Sequence, residues 1–106
     1  MSRAIGFRKI TVTMALASTP YQVSATRIIT PFIKVHFPTG NGGSCYLGNV
    51  SVDNTWTPLA ADSTHRFSAS ERGDVTDGDY FNLQDIYIDA ATAGDTAIVE
   101  YFTAEE

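Results

Sequence analysis

Apolar and polar residues alternate with a period of two along most of this chain, and no segment carries a helical stripe of useful length. Ile10, Val12, Met14 and Leu16 alternate with Thr11, Thr13 and Ala15, which predicts a strand with one buried face. Ser18-Thr19-Pro20 breaks the pattern, and Tyr21-Gln22-Val23 reads as a short extended piece. Residues 27–37 predict the next strand, with Ile29, Ile33, Val35 and Phe37 on one face and Lys34 and His36 on the other. Pro31 lies inside this run and has no N–H to donate to a ladder, so its first part is expected at an edge or a bulge.

Residues 38–44 hold three glycines and Asn41, the strongest turn signal in the chain. Cys45-Tyr46-Leu47 returns as a strand, and Gly48-Asn49 bends into Val50-Ser51-Val52. Residues 55–63 form a connection containing Trp56, Pro58 and Leu59. Residues 64–69 predict a strand with His65 and Phe67 on one side, and residues 70–79 a polar loop rich in Gly and Asp. Asn82-Leu83-Gln84-Asp85 fits one helical turn before Ile86-Tyr87-Ile88. After a small-residue turn at 90–95, residues 96–103 close the chain, with Ala97, Val99 and Tyr101 opposing Ile98, Glu100 and Phe102. Six to eight strands punctuated by Gly, Pro and Asp turns predict an all-β fold, an antiparallel β-sandwich or jelly-roll-like barrel, as one domain over residues 1–106.

Charge changes the picture, because it is segregated along the chain. Residues 1–50 carry Arg3, Arg8, Lys9, Arg27 and Lys34 and no acid, a formal +5. Residues 51–106 carry twelve carboxylates against Arg66 and Arg72, a formal −10, and the whole chain stands at −5. If the halves fold onto different surfaces, copies would dock head to tail or onto a charged partner. If they interleave in one sandwich, basic strands pair beside acidic ones at small energetic gain. A net negative chain with a single adjacent pair of cations, Arg8-Lys9, lacks the clustered charge of a nucleic-acid binder. No apolar run reaches the length of a membrane span. Arg8 and Lys9 interrupt the place where a secretory signal would be apolar, so synthesis and folding in a cytoplasm are expected, with the Asn49-Val50-Ser51 sequon unused.

Candidate chemistry is sparse. Cys45 is alone, which removes any intrachain disulfide or cysteine zinc site and reads as a small core residue. Arg72-Gly73-Asp74 matches an integrin-type tripeptide but is equally what turn chemistry places in such a loop. Asp74, Asp77 and Asp79, with Glu71 nearby, cluster oxygen ligands on a Gly-bearing loop; the spacing is not that of an EF-hand, and solvated turn carboxylates are the expected reading. His36 and His65 have no recognisable zinc co-ligand or nucleophile. Trp56 with Tyr46, Tyr80 and Tyr87 would suit a sugar platform, while an interface anchor is the commoner use of such a Trp. Gly40 to Gly43 enters a strand and lacks the Lys of a phosphate loop. No catalytic residue, metal or cofactor is expected.

The stretch Asn41-Gly42-Gly43-Ser44-Cys45-Tyr46-Leu47-Gly48, followed by Val50-Ser51-Val52 and Leu59-Ala60-Ala61-Asp62-Ser63, resembles small β-sandwich virion proteins of tailed bacteriophages. Leu83-Gln84-Asp85-Ile86-Tyr87-Ile88, Ala93-Gly94-Asp95 and the closing strand through Tyr101 continue the likeness, which spans the chain in short turn and core motifs. Related chains often carry a Gly near the position of Asp62, and this one does not. The resemblance implies a capsid decoration (cement) protein on the virion surface. Such a protein binds and stabilises the outer face of the head as a homotrimer, with the major capsid protein as partner. No active-site residues come with it. Exposure and charge, rather than the resemblance, nominate the contacts: Arg3, Arg8 and Lys9; the tip Asn41, Gly42, Gly43 and Ser44; Trp56; and Glu71, Arg72, Asp74, Asp77 and Asp79. A tail, baseplate or neck component, a carbohydrate-binding module and, last, a small enzyme are the competing classes.

Overall fold

The computed structural model describes residues 4–68 and 81–105. Nine antiparallel strands are seen there, three of them only two residues long. β1 (Ala4–Met14), β9 (Asp95–Glu105), β4 (Phe32–Phe37) and β6 (Ser63–Ser68) form a four-stranded sheet in the order β1-β9-β4-β6. β2 (Tyr21–Gln22), β8 (Tyr87–Ala90) and β5 (Cys45–Gly48) form a second sheet in the order β2-β8-β5, which Leu59 extends through a bridge to Cys45. β3 (Ile29–Thr30) pairs with β7 (Phe81–Asn82) at one corner. The chain crosses from one sheet to the other at every main connection except the return from β5 to Leu59. That path, with the first and last long strands paired, is a jelly roll.

The alternation read from the sequence explains which faces meet. Val12 and Met14 of β1, Ile33, Val35 and Phe37 of β4, and Ala97, Val99 and Tyr101 of β9 point inward. Cys45, Ile88 and Ala90 of the second sheet close over them, with Leu83 beneath. Leu83 begins a one-turn helix, Leu83–Asp85, which Asn82 caps by accepting from Gln84 N at 3.1 Å. That turn swings the chain from β7 into β8.

Several expectations from the alternation are corrected. Residues 27–37 are not one strand. Pro31 splits them, so β3 pairs with β7 while β4 pairs with β9 and β6. The break also shifts the side-chain phase: Thr30 is fully buried, its hydroxyl donating to Phe32 O at 2.9 Å, and Ile29 faces outward. Leu16 lies past the end of β1 and is 63% exposed, because Ala15 to Ser18 already turn toward β2. Val50-Ser51-Val52 is a turn closed by Val52 N donating to Asn49 O at 2.9 Å, and only Val52 is buried.

The two halves of the sequence interleave: β1 and β4 come from the basic half, and β6 and β9 from the acidic half, in strictly alternating order across the sheet. The cations, though not the acids, are nonetheless sorted by sheet: Asp95, Glu100 and Glu105 all lie on β9. Every Lys or Arg on a described strand lies in the four-stranded sheet, as Arg8, Lys9, Lys34 and Arg66. The second sheet carries none of them and has Asp89 on β8.

Candidate docking surface

The outer face of the four-stranded sheet is built in rows across the strands. Phe7 of β1 lies beside Phe102 of β9 with ring centroids 4.7 Å apart, and Phe102 lies beside Phe32 of β4 at 5.3 Å. Tilted rings at these separations attract one another beyond their buried area. Phe7 remains 58% exposed, so the row is open to solvent at the β1 edge. The next row is charged. Lys9 pairs in register with Glu100, Glu100 with Lys34, and Lys34 with Arg66. Lys34 Nζ reaches Glu100 Oε1 at 3.1 Å, a half-exposed ion pair worth at most about 1 kcal/mol. Three cations against one carboxylate leave this row positive. Beyond it, Ile98 sits between Thr11 and His36.

The opposite side of the sandwich is partly aromatic and carries Asp85 beside an open groove. Gly48 of β5 is paired with Tyr87 of β8, and Trp56 lies over Gly48. A Cβ at position 48 would fall 2.5 Å from the indole, so glycine is what lets the ring rest on the strand. Tyr46 shares this outer face by alternation, two residues before Gly48. Beside it, Gln22, Asn49, Val50, Gln84, Asp85 and Tyr87 line an open groove of about 540 Å³. Val50 is 63% exposed and Asp85 is exposed.

The sequence-nominated residues fare differently. Lys9 belongs to the charged row, and Arg8 is exposed on the same strand. Trp56 is 38% exposed and contributes to the second sheet's outer face. Asn41, Gly42, Gly43 and Ser44 are tied into the fold rather than held out as a tip. Asn41 Nδ2 donates to Thr96 O at 2.8 Å, and Thr96 N donates back to Asn41 Oδ1 at 2.9 Å. The Asp95 carboxylate accepts from Gly42 N at 2.8 Å and Gly43 N at 3.2 Å, and Ser44 O accepts from Ala91 N at 3.0 Å. A Cβ on Gly43 would meet Thr92 Oγ1 at 2.7 Å, so the glycines serve close approach between two loops. Arg3, Glu71, Arg72, Asp74, Asp77 and Asp79, with Tyr80 and the calcium and integrin motifs they compose, lie outside the described residues.

His36 and His65 do not converge. They sit on neighbouring strands with opposite parity: His36 Nδ1 is 3.0 Å from Thr64 Oγ1, while His65 stacks edge-on to Phe37 and lies 3.0 Å from Ser63 Oγ. Phe7, Phe32, Phe102, Lys34 and Arg66 were not nominated from the sequence. Their signal was the polar side of each alternation, where Phe102 stands out as an aromatic among Ile98 and Glu100.

Cys45 is fully buried, and burial pushes its thiol up to about 11, with the Asp95 and Asp89 carboxylates adding to the effect. A thiol held so high is protonated and unreactive at neutral pH. Asp89 itself is 2% exposed, and its Oδ1 has no hydrogen-bond partner among the described residues. Because an unfolded Cys ionises near 9.0, the folded state's neutral thiol contributes nothing to pH dependence below that value. Between pH 9 and 11 the unfolded chain sheds a proton that the folded chain keeps, so stability falls by roughly 2 to 3 kcal/mol. Urea unfolding at pH 8 and pH 11 is expected to show this loss in the wild type and to show it reduced by that amount in Cys45→Ala.

No family model matches the chain, and no curated protein matches it. Among solved structures, it is similar to a chain from Bacillus endospore appendages, described as a novel family of disulfide-linked pili. The likeness covers 100% of this chain and 93% of that one, at 16% identity and a TM-score of 0.50. At that identity it speaks for the β-rich fold alone.

Proposed function

We propose that this chain is a non-catalytic structural protein that works by docking, as a decoration protein on the outer surface of a tailed-phage head. The observation that carries the reading is the outer face of the four-stranded sheet, where a half-open row of three Phe runs beside a row of three cations and one carboxylate. Aromatics flanked by Lys and Arg suit a contact whose centre excludes water and whose rim sets orientation. The jelly-roll fold and the phage-like turn motifs around Gly48 and Asp95 support the same reading. A clamp of this kind gains from trimerisation, since three weak contacts act at high effective concentration.

A second reading is a subunit of a filament or tail assembly, favoured by the likeness to a pilus protein. Those pili are disulfide-linked, whereas Cys45 here is buried and protonated, so a filament of this chain would not be linked through Cys45 in this fold. Heads stripped of accessory proteins and mixed with the purified chain are expected to retain it at a fixed copy ratio. Passage of the chain through without retention would overturn the decoration reading and favour the filament one.

A further inference from the structure

We infer that the outer face of the four-stranded sheet of one copy docks on the acidic groove of the three-stranded sheet of a second copy, head to tail. This rests on the reading above that the chain acts by docking, and it names the partner as the chain itself. The first half of the contact is the Phe7, Phe102 and Phe32 row with Lys9 and Arg66 on the adjoining row. The second half is the groove of about 540 Å³ whose apolar wall is Val50 and Tyr87 and whose edge is Asp85. Residues 41–62 and 81–95 contain no Lys or Arg; Asp85 lines the groove and Asp53 is exposed three residues after Val50, against the exposed Arg27 in the segment whose Ala25 O accepts from Gln84 Nε2.

The sign of the charges selects this arrangement over the symmetric ones. Two four-stranded faces packed together would oppose three cations with three cations. Two grooves packed together would set Asp85 against Asp85. Like charges in such a contact suppress it, while the face-to-groove contact brings opposite potentials together. Phe7 supplies the projecting apolar group, and Val50 and Tyr87 supply an apolar surface to receive it, so the contact also buries hydrophobic area on both sides. A face-to-groove contact is heterologous, using a different patch on each partner. It therefore closes into a ring or continues as a filament, according to the rotation between copies. A ring of three is the closed form that a homotrimer would take.

The test is self-association of the purified chain by sedimentation velocity. Two charge-reversed proteins are made, Lys9→Glu/Arg66→Glu and Asp53→Lys/Asp85→Lys. All four positions are exposed, and none belongs to the core. Each protein alone is expected to associate at least about tenfold more weakly than wild type, and an equimolar mixture to recover to within about threefold of it, because the reversed face then meets the reversed groove. Phe7→Ser, which leaves every charge in place, is expected to weaken wild-type association by about tenfold as well. Raising salt from 50 to 500 mM is expected to weaken the wild type, as screening shortens the reach of its charges. A mixture as weak as its parts, reversed proteins that associate like wild type, or a wild type that is monomeric at every concentration would each overturn the contact. A monomeric wild type that still binds phage heads leaves the decoration reading standing. Wild-type chains that associate as described but ignore heads sink the decoration reading and leave this contact in place.

Discussion

Asp95→Ala is expected to lower stability by about 3 to 5 kcal/mol, because two charge-assisted hydrogen bonds are lost and two backbone donors are left without a partner. The carboxylate is 5% exposed and holds Gly42 N and Gly43 N at 2.8 and 3.2 Å, fastening the loop before β5 to the start of β9. Asn41 fastens the same loop to Thr96 through a reciprocal pair of hydrogen bonds. Losses of Asp95 and Asn41 should therefore fall short of additive, since once one fastening has gone the loop has already moved away from the other. Asp95→Asn keeps one acceptor but turns an amide N–H₂ toward a backbone N–H, and is expected to cost about half as much. Urea midpoints at constant m-value check all three. Marginal stability of about 5 to 15 kcal/mol for a domain of this size makes the alanine change one of the most damaging available outside the core. A loss below about 1 kcal/mol for Asp95→Ala would mean that water replaces the carboxylate at little cost.

Phe37→Ala is expected to cost about 3 to 5 kcal/mol, through lost burial and the cavity left behind. Phe37 is the largest of the fully buried side chains, at the end of β4, edge-on to His65 at a centroid distance of 6.0 Å. Its neighbours Val35 and Val99 lie on the two central strands of the four-stranded sheet, which pair on both sides and have little freedom to collapse inward. Phe37→Leu keeps most of the volume and is expected to cost about half as much. Thermal unfolding measures the difference, at about 4 to 8 °C for each kcal/mol in a domain of this size.

The alternation read from sequence located most of the strands because a two-residue period survives wherever a strand is buried on one face only. It located the inner sides of β1, β4 and β9, the helical turn at 83–85 and the closing turn before Asp95. It failed where local chemistry overrides the period. Pro31 resets the phase of its strand, so Ile29 and Thr30 exchange sides. Val50 and Val52 are two residues apart but belong to a turn fixed by Asn49, not to a ladder. The candidate surface was legible only in part. Lys9 and Trp56 were visible as exposed types, and the Gly-bearing turns at 40–43 and 91–94 marked corners of the fold. The Phe row was hidden because its members come from three strands far apart in sequence and meet only when β9 inserts between β1 and β4. Asn41 and Gly42, by contrast, looked like a free tip because their partners, Thr96 and Asp95, lie more than fifty residues away.

Sorting of the strand cations by sheet could not be read from the sequence halves. The two halves interleave, yet every Lys and Arg on a described strand falls on one sheet and none on the other. That separation gives the two sheets outer surfaces of unlike composition.

The most direct measurement is the melting temperature of phage heads stripped of accessory proteins, recorded against increasing amounts of the purified chain. A protein that stabilises a shell by docking is expected to raise that temperature by several degrees and to stop doing so at a fixed ratio of copies per capsid subunit. A melting temperature that stays flat at every ratio would contradict the account.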